Sequence, residues 1–447
     1  MCRIAFARCA VALCAALANL VHAEPPERYP LARELPAFEA PDSPATNTPQ
    51  APADPTAELS LREALALALL GSPELAVDSF EQRAREAAAL QAAARPNPTL
   101  SLELEDFAGS GAFRGVREAQ TTLQLGQLVE LGGKRAARVA LARADSDLAA
   151  WDYELRRIEV LSRTSDAFIE LLAAQERAQL AEDALALARA VERVAGLRRR
   201  AGMASPAEEI RAGVAADIAG VEREHTQHEL ATARQALAAM WAGEARFTRA
   251  LGDLAQLPKP PTRTELSSRL DTSPGVARWQ AELARREAVR GVVRSARTPD
   301  LSVSAGPRHL AGAGDIALVV GVSAPLPLFD RKAGALAEAA QRIAKLTAEQ
   351  RAERVRIATE LNAAQLALIA SVEEAKLLRE RVLPGIERAA GVMQRGYEEG
   401  RFAQVEVLET QRAQVEARAQ FLRALVEAHR AAREIERLTG VPLEVQP

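Results

Sequence analysis

Landmarks recur along this chain at a nearly constant distance, and that duplication limits the fold more than any single motif does. Ser72-Pro73 matches Ser273-Pro274, and Ala94-Arg95-Pro96-Asn97-Pro98-Thr99-Leu100 matches Ala296-Arg297-Thr298-Pro299-Asp300-Leu301, 201 residues on at Ser72, Pro98 and Leu100 and 202 at Ala94-Arg95. Lys134 against Lys332 and Gly202 against Gly400 are 198 apart, so one three-residue deletion between the strands accounts for the change. Four landmarks in order define two halves, 59–250 and 266–440. Each reads as helix, short alternating strands, very long helix, tight turn and long helix.

The strands carry the sharpest constraint. Over 97–128, Leu100, Leu102 and Leu104 alternate with Ser101, Glu103 and Glu105, and a Gly-rich turn leads to Leu123 and Leu125 alternating with Thr122 and Gln124. Over 299–326, Leu301 and Val303, then Ile316, Leu318, Val320 and Val322, oppose Ser302, Ser304, Gly321 and Ser323. These are two hairpins, each with one apolar face. Four strands are too few to close a barrel or a stable sandwich in one chain. Either the apolar faces pack on helices of a soluble domain, or several chains share their strands in one membrane barrel. In the second case the Leu, Ile and Val residues face lipid and Ser, Glu and Gln face a wet lumen. Strand lengths near ten residues favour the shared barrel.

The helices are longer than a globular domain uses. From Lys332 to Gly396 the chain is dense in Ala, Leu, Arg, Glu and Gln, with one break candidate at Leu383-Pro384-Gly385. Lys134 to Arg200 mirrors it, and shorter partners follow at Pro206 to Trp241 and Ala403 to Leu438. More than fifty helical residues span roughly 75–95 Å. Ile357, Leu361, Ala364, Leu368, Val372 and Ala375 recur close to an eleven-residue period, which predicts nearly straight or slightly right-handed packing. Only 16 of 447 residues are aromatic, too few for large globular cores but suited to Ala- and Leu-rich helix packing.

Residues 1–23 carry Arg3 and Arg8, an apolar run from Cys9 to Val21, and Val21-His22-Ala23 before Glu24. That order reads as a cleaved secretory signal peptide. The competing reading, lipidation at Cys14, is opposed by Leu13 where a small residue is wanted and by the shortness of the apolar run before it. All three cysteines lie in this segment, so the mature chain has neither a disulfide nor a thiolate metal site. Residues 24–57 hold nine prolines and form a linker or extended arm. No later stretch is a spanning helix, so a membrane crossing must be a β-barrel. A formal charge of −3 carries no polybasic excess and argues against a nucleic-acid partner.

At this point the residues resemble a known family, the outer-membrane efflux proteins of the TolC type, and within it the heavy-metal efflux (CzcC/CusC-like) branch. The matching stretches cover nearly the whole mature chain. They are Leu61-Arg62-Glu63-Ala64-Leu65 with Ser72-Pro73-Glu74-Leu75, Ala94-Arg95-Pro96-Asn97-Pro98, Glu130-Leu131-Gly132-Gly133-Lys134-Arg135-Ala136-Ala137-Arg138, and Tyr397-Glu398-Glu399-Gly400-Arg401-Phe402-Ala403-Gln404-Val405-Glu406-Val407-Leu408. The resemblance implies a mainly α fold with membrane β-hairpins. It also implies a homotrimer whose four strands per chain make a twelve-stranded outer-membrane barrel continued by a periplasmic α-helical barrel. Its implied partners are a periplasmic adaptor (membrane fusion) protein, meeting the tips 201–206 and 399–403, and an inner-membrane proton-driven pump. The adaptor-contact candidates are Gly202, Met203, Ser205, Gly400, Arg401 and Ala403. Each Gly is suited to ending a helix in the left-handed region, and Ser205 to capping the next, with Glu208 near its dipole. The second copy has Leu326-Pro327-Leu328-Phe329-Asp330-Arg331-Lys332 where the first has Gly-Gly, which predicts a differently built corner.

No phosphate loop, nucleophile elbow or metal-ligand cluster occurs, which points away from an enzyme and from any cofactor. His225 and His228 are spaced three apart on a helix, and a solvated helix face accounts for them better than chelation. Glu208, Glu209, Glu406 and Glu409 follow the tips; they form an acidic entrance ring when tripled, or are ordinary helix N-terminal acids. Glu103 and Glu105 point to the lumen by alternation and would tune ion preference. The expected function is a passive exit duct from periplasm to exterior in a tripartite (RND-type) efflux system for heavy-metal cations. Organic-compound efflux or type I secretion fits the same architecture. A periplasmic coiled-coil adaptor or scaffold without a pore is the alternative of another class, and it predicts one helical hairpin beside small β-domains.

Overall fold

Apolar residues repeating every three to four positions generate most of the molecule, whose structure is a computed structural model describing residues 54–443. Residues 1–23, where a signal peptide is expected, with Cys14, and all but the last four residues of the expected arm 24–57 lie outside the described residues. The first repeat contains strand β1 (Glu58–Ser60), helices α1 (Leu61–Gly71) and α2 (Pro73–Ala92), strands β2 (Thr99–Glu105) and β3 (Gln120–Val129), and helices α3 (Lys134–Arg200) and α4 (Pro206–Ala238). A short strand β4 (Arg249–Leu251) closes it. The second repeat contains α5 (Arg263–Leu270), α6 (Pro274–Ser295), β5 (Leu301–Leu310), β6 (Asp315–Ser323), α7 (Ala333–Leu377), α8 (Leu383–Glu398) and α9 (Gln404–Thr439). No helix among the described residues is long and apolar enough to cross a membrane.

Helix α3 runs 67 residues without interruption, about 100 Å at the usual rise. The matching segment of the second repeat also stays helical through Leu383-Pro384-Gly385, the one break candidate in its sequence. A π-helical turn, Leu378–Val382, joins α7 to α8 there. Pro384 has no N–H for the carbonyl of Glu380 and its ring crowds that carbonyl; widening the preceding turn accommodates both within one continuous rod. Ile357, Leu361, Ala364, Leu368, Val372 and Ala375 are all buried, as their spacing predicts.

The long helices pack in the order α4, α3, α9 and α7–α8. Their largest core lies around Phe168, Leu171, Leu172, Trp241, Phe247, Leu361, Leu368 and Leu425. One element was not foreseen: β1 and β4 pair in parallel, Leu59 opposite Ala250. Gln175 of α3 closes the edge of this small sheet, accepting from the Ala250 N–H at 2.8 Å and donating to the Ala250 carbonyl at 3.1 Å. The end of the arm is docked rather than free, because Asp54 accepts hydrogen bonds from Trp241 Nε1 at 3.2 Å and the Glu244 N–H at 3.0 Å.

The two hairpins form one antiparallel sheet in the order β2-β3-β5-β6. At the corner after β3, Gly133 sits in the left-handed region at φ 72°; after β6, Lys332 does the same at φ 58°. The second corner therefore repeats the left-handed residue that precedes the helix but not the one before it, Gly132 at φ 67°, and is built differently, as its sequence predicts. Asp330 holds the strained lysine, accepting from its backbone N–H at 2.9 Å and pairing with its Nζ at 2.5 Å. The helix-start geometry also matches Lys332 to Gly133 rather than to Lys134, a one-residue correction to the 198-residue offset at this point.

Candidate functional site: a two-faced sheet and joined hairpin tips

The register brings all eleven apolar strand candidates to one face. Leu100 opposes Leu125, which opposes Ala305 and then Val320; Leu102 opposes Leu123; Val303 opposes Val322. Leu104, Ile316, Leu318 and Leu301 share that face by strand parity. Nine of the eleven are exposed, Leu102 at 71%, while Leu301 and Val303 are half-buried. An exposed apolar surface of this extent on one face of a sheet needs a non-aqueous or protein partner.

The opposite face is polar and partly knitted together. Arg308 donates from Nε to Thr122 Oγ1 at 2.8 Å and from Nη1 to Gln120 Oε1 at 3.1 Å, and pairs with Glu105 at 3.1 Å. Thr122 is fully buried, and Glu103 stands directly opposite it in register. Glu105 is thus neutralised locally, whereas Glu103 has no ion-pair partner among the described residues. Arg308 was missed from sequence although its parity, opposite to that of Val303, puts it on this face. Beside it Gly306 permits β3 to approach; a Cβ there would lie 1.8 Å from the Leu123 carbonyl oxygen.

At the far end of the helices the two tight turns meet. Gly202 and Gly400 have φ of 73° and 77°, the left-handed geometry that ends α3 and α8. Ser205 Oγ accepts from the Glu208 N–H at 3.3 Å while Glu208 Oε1 accepts from the Ser205 N–H at 3.4 Å, a capping box. Ala403 has no side-chain oxygen, so only the return bond forms there: Glu406 accepts from the Ala403 N–H at 2.7 Å. Met203 and Arg401 are exposed.

Cross-links between the tips were not legible in the sequence. Arg198 donates to the Tyr397 carbonyl, and its guanidinium carbon lies 4.7 Å from the centre of the Tyr397 ring. Gln404 Nε2 donates to the Glu208 carbonyl at 2.8 Å. Val191, Ala195, Ala212, Tyr397 and Val407 bury one small core beneath them. Burial pushes the Tyr397 hydroxyl pKa up, with Arg198 opposing and Glu208 adding to the shift.

The four ring acids do not act alike. Glu208 and Glu406 are engaged as helix caps, and Glu209 pairs with Arg199. Glu409 is exposed and has no polar partner among the described residues. His225 is exposed and lies 3.3 Å from Glu229, and His228 is exposed; no group of residues among those described is arranged to hold a metal ion.

A sheet with one apolar and one polar face, continued by paired hairpins of about 100 Å, defines a TolC-like channel chain. The sequence profile of the family described as Outer membrane efflux protein matches residues 64–243 and 266–441, and the chain belongs to that family. It is 34% identical over 400 residues to the cobalt-zinc-cadmium resistance protein CzcC of Cupriavidus metallidurans, covering 89% of this chain and 94% of CzcC. It is 28% identical over 328 residues to the nickel-cobalt-cadmium resistance protein NccC of Alcaligenes xylosoxydans xylosoxydans, 73% of this chain and 72% of that one. The fold superposes on the crystal structure of CusC with a TM-score of 0.71 at 16% identity, covering 85% of this chain and 91% of CusC.

Proposed function

We propose that three copies of this chain join their sheets into a twelve-stranded outer-membrane barrel continued by a periplasmic helical tunnel, forming the passive exit duct of a tripartite efflux pump. The observation that carries this reading is the sheet. Its apolar face is exposed, its other face is polar, and its outer strands β2 and β6 have unpaired edges. Backbone groups in a bilayer must all be paired, so an open sheet of this kind requires closure. β2 and β6 run in opposite directions, so joining β6 of one copy to β2 of the next keeps the ring antiparallel. The helical part likewise ends in α4 on one side and α7–α8 on the other.

In this reading Leu100, Leu102, Leu104, Leu123, Leu125, Leu301, Val303, Ile316, Leu318, Val320 and Val322 face lipid. Glu103 faces the lumen as its unneutralised charge. The tips, with Gly202, Met203, Ser205, Gly400, Arg401 and Ala403, meet the adaptor, and Glu409 is the acid left available to line the entrance. An inner-membrane proton-driven pump supplies the energy, and the chain is exported by cleavage after Ala23. The cargo is heavy-metal cations, a reading supported by relatives named for cobalt, zinc, cadmium and nickel resistance.

The test is migration of the unheated and heated detergent-extracted protein, with conductance in a planar bilayer. A heat-sensitive trimer that conducts ions is the expected result. A soluble monomer without conductance, washed from membranes by salt, would return the chain to an adaptor or scaffold role. Deletion of the gene should lower the tolerated zinc, cobalt or cadmium concentration; unchanged metal tolerance with raised sensitivity to organic compounds would reassign the cargo.

A further inference from the structure

The two repeats are joined inside the chain by a contact whose counterpart is missing. After β3, the first corner seats on the start of the second hairpin. Leu131 N–H donates to Asp300 Oδ1 at 3.1 Å, Lys134 Nζ lies 2.7 Å from Asp300, and Gly132 is so close that a Cβ would come within 2.5 Å of Thr298. Beneath it, α6 packs on α3 of the other repeat as well as on α7 of its own. Arg278–Asp152 and Arg285–Asp145 ion pairs, each 2.6 Å, tie α6 to α3.

The duplicate of each half of this contact is exposed. The second corner, after β6, presents Leu326, Leu328 and Phe329 to solvent, Phe329 at 100%. The start of the first hairpin, which corresponds to Thr298–Asp300, is Asn97–Thr99, also exposed. Helix α2, the counterpart of α6, packs on α3 of its own repeat and leaves Val77, Phe80 and Leu90 exposed. The charges fit the same logic. Thr99 stands where the second hairpin has Asp300, and by the helix starts Ala333 stands where the first corner has Lys134, so neither charge of that pair is needed across the seam.

From this geometry we infer that the corner carrying Leu326, Leu328 and Phe329 seats on the Asn97–Thr99 segment and the free apolar side of α2 in a second copy of this chain. The inference rests on the shared-barrel reading and specifies its seam. The contact is heterologous, one surface meeting a different one on the next copy, so it excludes a two-fold dimer and builds the ring that closure of the shared sheet requires. Within one copy, β2 and β6 are separated by three strand spacings, about 14 Å, so the same contact cannot form internally.

The mature chain has no cysteine, which makes the test clean. In membranes of cells expressing the full chain, Asn97→Cys together with Phe329→Cys should give an oxidation-dependent ladder of dimer and trimer on non-reducing gels. Neither single variant should do so, and a short flexible bis-maleimide should reproduce the ladder. As a second measurement, Phe329→Trp should resist quenching by brominated lipids. A heat-sensitive trimer in which the pair fails to cross-link by either reagent, with Phe329→Trp strongly quenched, would overturn the seam and make this corner a lipid anchor while sparing the duct. Absence of any trimer, in the unsubstituted protein as well, would overturn both.

Discussion

Lys134 at the start of α3 and Asp300, the residue before β5, meet at 2.7 Å, joining residues from opposite halves of the duplicated chain at the junction of strand and helix. Burial pushes the Asp300 carboxyl up, but hydrogen bonds from Lys134 and the Leu131 N–H, with the charges of Lys134 and Arg138, outweigh it and hold the pKa below the usual value. The stabilisation is therefore present above the unfolded-state pKa, near 4, and is lost as pH falls through the lowered folded value. Asp300→Asn should cost about 1–2 kcal/mol near pH 7, since it weakens a charge-assisted contact less than a quarter exposed. Thermal unfolding followed by circular dichroism should show a lowered midpoint, and the gap to the unsubstituted protein should shrink below about pH 4. A gap independent of pH would assign the cost to packing.

Turn geometry sets the second prediction. Gly202→Ala and Gly400→Ala should each cost about 1–2 kcal/mol, because both positions have φ above 70° while no atom stands closer than 3.8 Å to an added methyl. Hydrogen exchange confined to the tips should accelerate accordingly, and Asn should be tolerated better than Ala at both sites.

Tyr397 is 2% exposed, yet its hydroxyl has no hydrogen-bond partner among the described residues. Tyr397→Phe should therefore be close to neutral, and Tyr397→Ala should cost about 3 kcal/mol or more by opening a cavity between the tips. A large loss of tip protection in Tyr397→Phe would mean that the hydroxyl has a partner in the assembled protein.

On the sheet, Leu102→Arg or Leu318→Arg should cost about 2–4 kcal/mol if this face meets hydrocarbon, and should sharply lower the amount recovered in outer membranes. Ser101→Arg, on the opposite face, should assemble normally and reduce cation preference in reversal-potential measurements, as should Glu103→Gln. Equal tolerance of arginine on both faces would remove the lipid assignment.

His429 on α9 supplies a second pH dependence. Burial lowers its pKa, helped by Arg433 and opposed by its Nε2 contact with the Leu254 carbonyl at 3.0 Å and by Asp253. The neutral ring is favoured in the folded state, so its stability is complete above about pH 6.5, declines as pH falls from there to the lowered folded value, at up to about 1.4 kcal/mol per pH unit, and levels off below it. His429→Gln should flatten the pH dependence of the unfolding free energy just below about pH 6.5. An unchanged slope would place the sensitivity elsewhere.

Fold and family were legible because the residues that specify them are near neighbours in the chain. Alternation at Leu100, Leu102 and Leu104 is visible in five consecutive residues, and the buried stripe from Ile357 to Ala375 in under twenty. Gly202 and Ser205 announced their turn for the same reason. The β1–β4 pairing was illegible, since two three-residue strands nearly 200 residues apart carry no period of their own. Pro384 made this stretch a break candidate because it removes a hydrogen bond, and the π turn that absorbs the loss within one rod has no sequence period of its own.

The sequence by itself determined the duplicated order of the long elements, the parity of the four hairpin strands and the length of the rods. These follow from covalent geometry and the 2.0 and 3.6 residue periods, which need no knowledge of what packs where. Only the tertiary structure decided that Lys134 meets Asp300, that Arg308 neutralises Glu105 and leaves Glu103 free, and that Arg198 reaches Tyr397 across the tips. Each of those pairs joins residues more than 160 positions apart, and a charge or a hydrogen-bond donor is chemically able to pair with many partners. Which one it meets is settled by how the two repeats dock.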